Sequence, residues 1–211
     1  MMRAVVLAVL LAAGPGFAGP LSDLIFAPGA AVGTAPELSY AHARTVPADL
    51  PEDAALPKAV VDEVLTLAQS SGEAPRRVLT RQGPGEGASP VSEFPLSGPD
   101  PVLLYFLEST ARNMAALTGG SPFYIRNRIR EALGQADLGT EVTVGDTPAR
   151  QIVLRPFQAD PNRASMGAFA ELALTLVVET EGAPRFLSLS ADTAVAEGGY
   201  HETLTLMAED G

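Results

Sequence analysis

His42 and His201 are the only two histidines in the chain, and it contains no cysteine. That inventory rules out a multi-histidine metal centre, thiolate ligands, a Cys nucleophile and disulfides. No HExxH helix, Walker-type phosphate loop or GxSxG elbow occurs. A Ser–His–Asp arrangement could be assembled on His42 or His201, but no local signature supports it. Both histidines sit in alternating segments, where a hydrogen-bonded structural imidazole is the common case, and a general base is recognised by geometry rather than by presence.

The acids Glu52-Asp53 and Asp62-Glu63 fall in or near a loop. Glycosidase carboxylates face each other across a cleft about 5–10 Å wide, a separation that adjacency in sequence does not supply. These pairs read as solvated charge. The segment Gly119-Gly120-Ser121-Pro122 places glycines before a helix start, a geometry able to hold an anion, yet ending one helix and starting another accounts for every residue in it. The cluster YIRNRIR, residues 124–130, is the most suggestive polar feature. Arg126 and Arg130, one turn apart on a helical face, could grip a carboxylate or phosphate headgroup bidentately. The plainer alternative is surface pairing with the chain's many acids. Tyr40, His42 and Arg44 project from one strand face, where they would line a mouth or face water. No metal-binding or cofactor-binding motif is present, so the chain is read as non-enzymatic and free of cofactors.

The elements that must position these residues centre on 100–134. Asp100 caps a helix with Pro101 in its first turn, and Gly119-Gly120 end it. Ser121 caps a second helix, Pro122 follows, and Gly134 closes it. Leu103, Phe106, Leu107, Met114 and Leu117 give the first helix an apolar face. Ile125, Ile129 and Leu133 do the same for the second. Glu108 and Arg112 form a favourable i,i+4 pair.

Before the helices, Glu37–Pro47 alternates as a strand, and 47–57 reads as a proline-rich loop. Residues 58–82 fit either a helical face (Val60, Val61, Val64, Leu65, Ala68) or two strands around SSGEAP, and the β-rich runs favour two strands. After Thr140 the period is two. Leu172, Leu174, Leu176 and Val178 share a face, as do Leu187 and Leu189, and Leu204 and Leu206. Short turns between these runs favour an antiparallel meander over 140–208. The expected fold is therefore α+β: a single antiparallel, curved sheet with the central two-helix segment packed on its apolar face.

The first 18 residues read as a signal peptide, with Arg3 before a ten-residue apolar run, Ala4–Ala13, and Gly16 and Ala18 at the cleavage positions. The run is too short to span a bilayer, which needs about 20 residues. Residues 19–36 form a Gly/Pro-rich arm with an apolar patch at Leu24-Ile25-Phe26, and 37–211 a single domain. The expected compartment is the periplasm. The formal charge is −11, one unit more negative once Arg3 is removed, which argues against nucleic acid and against adhesion to an anionic membrane. No second long apolar run marks a transmembrane segment.

GPDPVLLYFLE (98–108), GGSPFYIRNRIREAL (119–133) and the alternating strands after Thr140 resemble, in element order, the periplasmic β-half-barrels, a group that includes the lipoprotein carrier LolA and proteins of the DUF3108 type. The resemblance covers most of the mature chain. It implies an apolar cavity between a curved sheet and covering helices, suited to an acyl chain or other hydrophobic ligand. Here such a pocket would be lined by Leu103, Phe106, Leu107 and Met114 from the helix. Leu174, Leu176, Leu187, Leu189 and Leu204 would line it from the strands, with Arg126 and Arg130 near a headgroup. Binding or carriage of a lipid or other hydrophobic small molecule is thus the first expectation. The alternatives are an envelope structural or assembly factor acting through protein contacts, with the arm adding a strand to a partner, and a secreted hydrolase using His42 or His201.

Overall fold

The computed structural model describes residue 21 and residues 37–51, 55–71, 73–181, 185–194 and 199–208. The signal segment, the arm apart from Leu21, and Glu52-Asp53 lie outside the described residues. Leu21 is fully buried in the core.

Four strands precede the helices: β1 (Glu37–Thr45), β2 (Val60–Gln69), β3 (Arg76–Gln82) and β4 (Ser89–Pro95). Two helices follow, α1 (Pro101–Thr118) and α2 (Pro122–Gln135). Among the described residues five more strands come after them: β5 (Thr140–Val144), β6 (Thr147–Leu154), β7 (Ala173–Glu179), β8 (Phe186–Asp192) and β9 (His201–Leu206). All nine form one curved, open antiparallel sheet in the order β4-β3-β2-β1-β9-β8-β7-β6-β5. The ambiguous segment 58–82 is two strands, β2 and β3.

The strand order determines where the helices lie. β4 is one edge of the sheet and β5 the other, so the helical segment that joins them must cross a whole face. α1 touches both β3 and β8. Those strands are four spacings apart, about 19 Å, and an 18-residue helix is about 27 Å long. An oblique crossing therefore fits. α2 then packs on α1 and over β6, delivering the chain to the far edge.

The expected caps form. Asp100 accepts from the Val102 and Leu103 amides, Ser121 accepts from the Tyr124 amide, and Gly119 ends α1 at φ +69°, a conformation glycine adopts without strain. One boundary differs from expectation: Gly134 lies inside the last turn of α2, which continues to Gln135 and ends on an extended Ala136. Gly145 at φ +60° makes the tight β5–β6 turn. Residues 155–171 contain two short 3-10 turns, Arg163–Ser165 and Gly167–Glu171.

The core is a single cluster between the sheet's inner face and the two helices. Leu103, Phe106 and Met114 of α1 are buried in it, with Leu174, Leu176, Leu189 and Leu204 from the strands. Leu107 is half-buried against it. Leu187 departs from the expected pattern. A β-bulge shifts the β7–β8 register between Val177 and Val178, so that Val178 faces Phe186. The extra residue breaks the two-residue alternation. Phe186 takes the buried place and Leu187 is left half-exposed, outside the core.

Candidate functional site

Tyr40, His42 and Arg44 share one face of β1, as the alternation indicates, but that face looks inward. β1 is central, with β2 and β9 on either side and α1 above. Tyr40 is completely buried and His42 is 2% exposed. The mouth-or-water reading of these three side chains is therefore corrected.

The neighbouring strands place carboxylates against this face. Glu63 is opposite His42 on β2, in register with the inward Leu65 and Leu67. Glu202 is opposite Arg44 on β9, in register with Leu204. His42 Nδ1 lies 2.7 Å from Glu63 Oε1, and His42 Nε2 lies 3.0 Å from Glu202 Oε1. Arg44 donates to the same Glu202 oxygen from Nη2 at 2.5 Å and from Nε at 3.2 Å. From α1, Ser109 donates to it at 2.8 Å. Tyr200 donates to Glu202 Oε2 at 2.5 Å, and Asn113 donates to the Tyr200 hydroxyl at 2.8 Å. The His42 ring meets Tyr105 of α1 edge-on at 6.0 Å.

Strand geometry contributes as well. The β1–β2 register shifts between His42 and Arg44, so that Val61 and Asp62 together oppose Ala43, and Asp62 adopts φ +54°. A left-handed Asp is tolerated better than most side chains but still carries strain. This bulge lies immediately beside the His42–Glu63 pair.

The electrostatics follow from burial and partners. Burial alone would raise the Glu202 carboxyl. The His42 hydrogen bond, the Arg44 charge and the Tyr200 and Arg44 hydrogen bonds outweigh it and hold the group at about 2. Burial and the neighbouring Glu202 push the Tyr200 phenol well above its ordinary value. Burial, Glu202 and Glu63 push Tyr105 up to about 12. Glu202 is thus ionised at neutral pH, with both carboxylate oxygens hydrogen-bonded.

Such an arrangement is poor at proton transfer. A general base needs a free lone pair within reach of the proton it takes, and both ring nitrogens of His42 already face carboxylates. Among the described residues neither histidine hydrogen-bonds a serine. His201 sits at the surface, 2.9 Å from Asp192. What the network does is fasten α1, through Ser109 and Asn113, to β9 at the centre of the sheet. On the other flank, Glu108 of α1 receives Arg126 of α2 in two bonds, 2.6 and 2.7 Å, and also Arg112 at 2.5 Å. These partners outweigh burial and keep the Glu108 carboxyl below its usual range. Arg126 therefore ties the two helices together. Arg130 contributes a buried Nε with no hydrogen-bond partner.

A second polar group lies under the start of α1. Burial, against the two capping amides and Arg77, raises Asp100 to about 6. The Tyr40 hydroxyl and Arg77 Nη1 are buried without hydrogen-bond partners, although Arg77 also donates through Nη2 to the Leu96 carbonyl. Between these two polar fixings the buried face of α1 is apolar apart from Thr110, whose hydroxyl is buried without a hydrogen-bond partner.

The nine residues expected to line an apolar pocket thus divide. Leu103, Phe106, Met114, Leu174, Leu176, Leu189 and Leu204 converge on one interface, Leu107 borders it, and Leu187 is outside it. Sequence reasoning took Asp62-Glu63 for solvated charge in or near a loop, whereas both lie in β2 and Glu63 turns inward to His42; it missed Glu202, Ser109, Asn113 and Tyr200. The signal for the two glutamates was present: a Glu in the apolar register of β2 and another in that of β9. Among the described residues no group of three or more His, Asp or Glu side chains is placed to hold a metal. No helix among them is long and apolar enough to cross a membrane. No known protein-family profile matches the chain, and no curated protein matches it significantly in sequence.

Proposed function

We propose that this is a non-catalytic binding protein of the bacterial envelope that holds an acyl chain or similar apolar ligand between α1 and the sheet. One observation carries the reading. The helix that crosses the sheet from β3 to β8 is fastened by polar contacts along its flanks, while the strip between them is apolar apart from the Thr110 hydroxyl: Leu103, Phe106 and Met114 in one cluster with Leu174, Leu189 and Leu204. Apolar ligand sites are built this way, with a greasy lining and a few polar groups at the rim. The partnered state of His42 and Glu202 supports a binding role over a hydrolytic one. The leader-like first 18 residues and the acidic composition suit an exported protein.

Native mass spectrometry of the protein secreted by its own leader tests this reading. A co-purified lipid or fatty acid, released on unfolding, is the expected result. A bare polypeptide mass that also fails to take up added fatty acid would overturn it.

A further inference from the structure

The two edges of the sheet are built differently. β4 carries prolines at Pro90 and Pro95, and its pairing with β3 is interrupted by a bulge at Leu79–Thr80. Proline and bulges are the usual means of keeping an edge from pairing with another chain. β5, Thr-Glu-Val-Thr-Val, has neither. Among the described residues no strand lies beyond it, the Glu141 side chain is 82% exposed, and Val144 is 47% exposed.

The β5–β6 register sets the direction of the free backbone groups on β5. Pro148 of β6 has no N–H, and its carbonyl accepts from the Thr180 amide on the β7 side at 3.1 Å. In an antiparallel ladder a residue's N–H and C=O point to the same neighbour. Pro148 therefore faces β7, and its β5 partner Thr143 is in a non-hydrogen-bonded pair. By alternation the same holds for Glu141 opposite Arg150. The amides and carbonyls of Glu141 and Thr143 thus point outward from the sheet.

We infer that this edge pairs with β5 of a second copy of the chain, antiparallel and two-fold symmetric about Val142. In that register Glu141 of each copy lies opposite Thr143 of the other, and the outward groups of these two residues meet as hydrogen-bonded pairs. Val142 meets its own counterpart in the central non-hydrogen-bonded position, where side chains approach most closely. Thr140 falls opposite Val144, adding β-branched contacts on the same face as the central valines. No like charges are directly opposed, and each Glu141 keeps its own Arg150 at 2.7 Å. A one-residue slip would instead bring outward groups against inward ones. The strand is self-complementary in this register, and the two sheets join into one. Because both copies are strongly acidic, added salt strengthens the pairing.

Sedimentation equilibrium of the full mature chain across a concentration series, with and without added salt, tests this inference. Wild type is expected to show a monomer–dimer equilibrium that tightens with salt. Thr143→Pro removes an outward donor without removing any bond to β6, so it is expected to weaken the dimer by at least about tenfold with an unchanged far-UV spectrum. Val142→Lys, which sets like charges on the axis, is expected to weaken it as well. A wild-type protein that stays monomeric throughout the series would overturn the inference. So would folded Thr143→Pro and Val142→Lys variants that both dimerise like wild type.

Discussion

Ser109 of α1 donates to Glu202 of β9 at 2.8 Å across 93 residues of sequence, and the same carboxylate oxygen also accepts from Arg44 and lies 3.0 Å from His42. Removing the charge leaves Arg44 facing a neutral group in a site almost without solvent. Breaking a buried ion pair on one side costs about 3–5 kcal/mol. Glu202→Gln is therefore expected to lose about 3 kcal/mol of unfolding free energy, measured by urea titration. The Ser109→Ala, Asn113→Ala double variant leaves the ion pair in place and removes one bond to the carboxylate, worth about 1.5–3 kcal/mol, and a neutral bond to Tyr200, worth about 1 kcal/mol. Its expected signature is local: faster amide exchange in α1, with the strands little changed.

Acid reveals Glu202 in a second way. Its carboxyl is depressed from 4.5 to about 2 in the folded chain. A depressed carboxylate contributes stability that is fully present above 4.5 and is lost as pH falls toward 2, on the order of 3 kcal/mol in all. The stability gap between wild type and Glu202→Gln should therefore narrow over that window. A gap that stays constant from pH 5 to pH 2 would remove the linkage.

Asp100 has the opposite sign. Its carboxyl is raised from 3.8 to about 6, so the folded chain binds the proton more tightly than the unfolded one. Its contribution is most favourable below about 4, declines as pH rises to 6 and is flat beyond. Asp100→Asn keeps a side-chain oxygen for the Val102 and Leu103 amides and is expected to flatten that slope. Melting temperatures of the two proteins between pH 4 and pH 7 give the answer.

The β7–β8 bulge places Phe186, not Leu187, in the core. Truncating a buried phenylalanine costs about 3–5 kcal/mol, whereas a half-exposed leucine outside the core is worth less than about 1 kcal/mol. Phe186→Ala and Leu187→Ala compared by chemical denaturation should differ by that margin. Equal losses would return the strand to simple alternation.

The bulge also marks where the sequence stopped being informative. Two-residue alternation correctly assigned the inner faces of β7 and β9, because one apolar side of each strand lies on the core; on β1 it grouped Tyr40, His42 and Arg44 on one face, but their polar types hid that this face is the inner one. It failed at Leu187 because a bulge depends on how two strands fit, which neither strand encodes alone. The caps at Asp100, Gly119 and Ser121 were legible because each is a local backbone requirement. Gly134 misled because glycine is tolerated in a last helical turn as well as beyond it. The polar network was half visible: His42 and Arg44 shared a face, and Glu63 and Glu202 broke the apolar register of their strands. That β1 pairs with β9, which brings these four together, depends on closure between the two ends of the chain.

The apolar strip under α1 is best tested by methyl NMR. With methyl-labelled Met and Leu, fatty acid should be titrated into protein first stripped of any bound lipid. The expected result is saturable shifts at Met114, Leu103, Leu174, Leu189 and Leu204, with the exposed Met207 unmoved. Shifts confined to Met207 and other surface methyls, or none at all, would contradict a ligand site between α1 and the sheet.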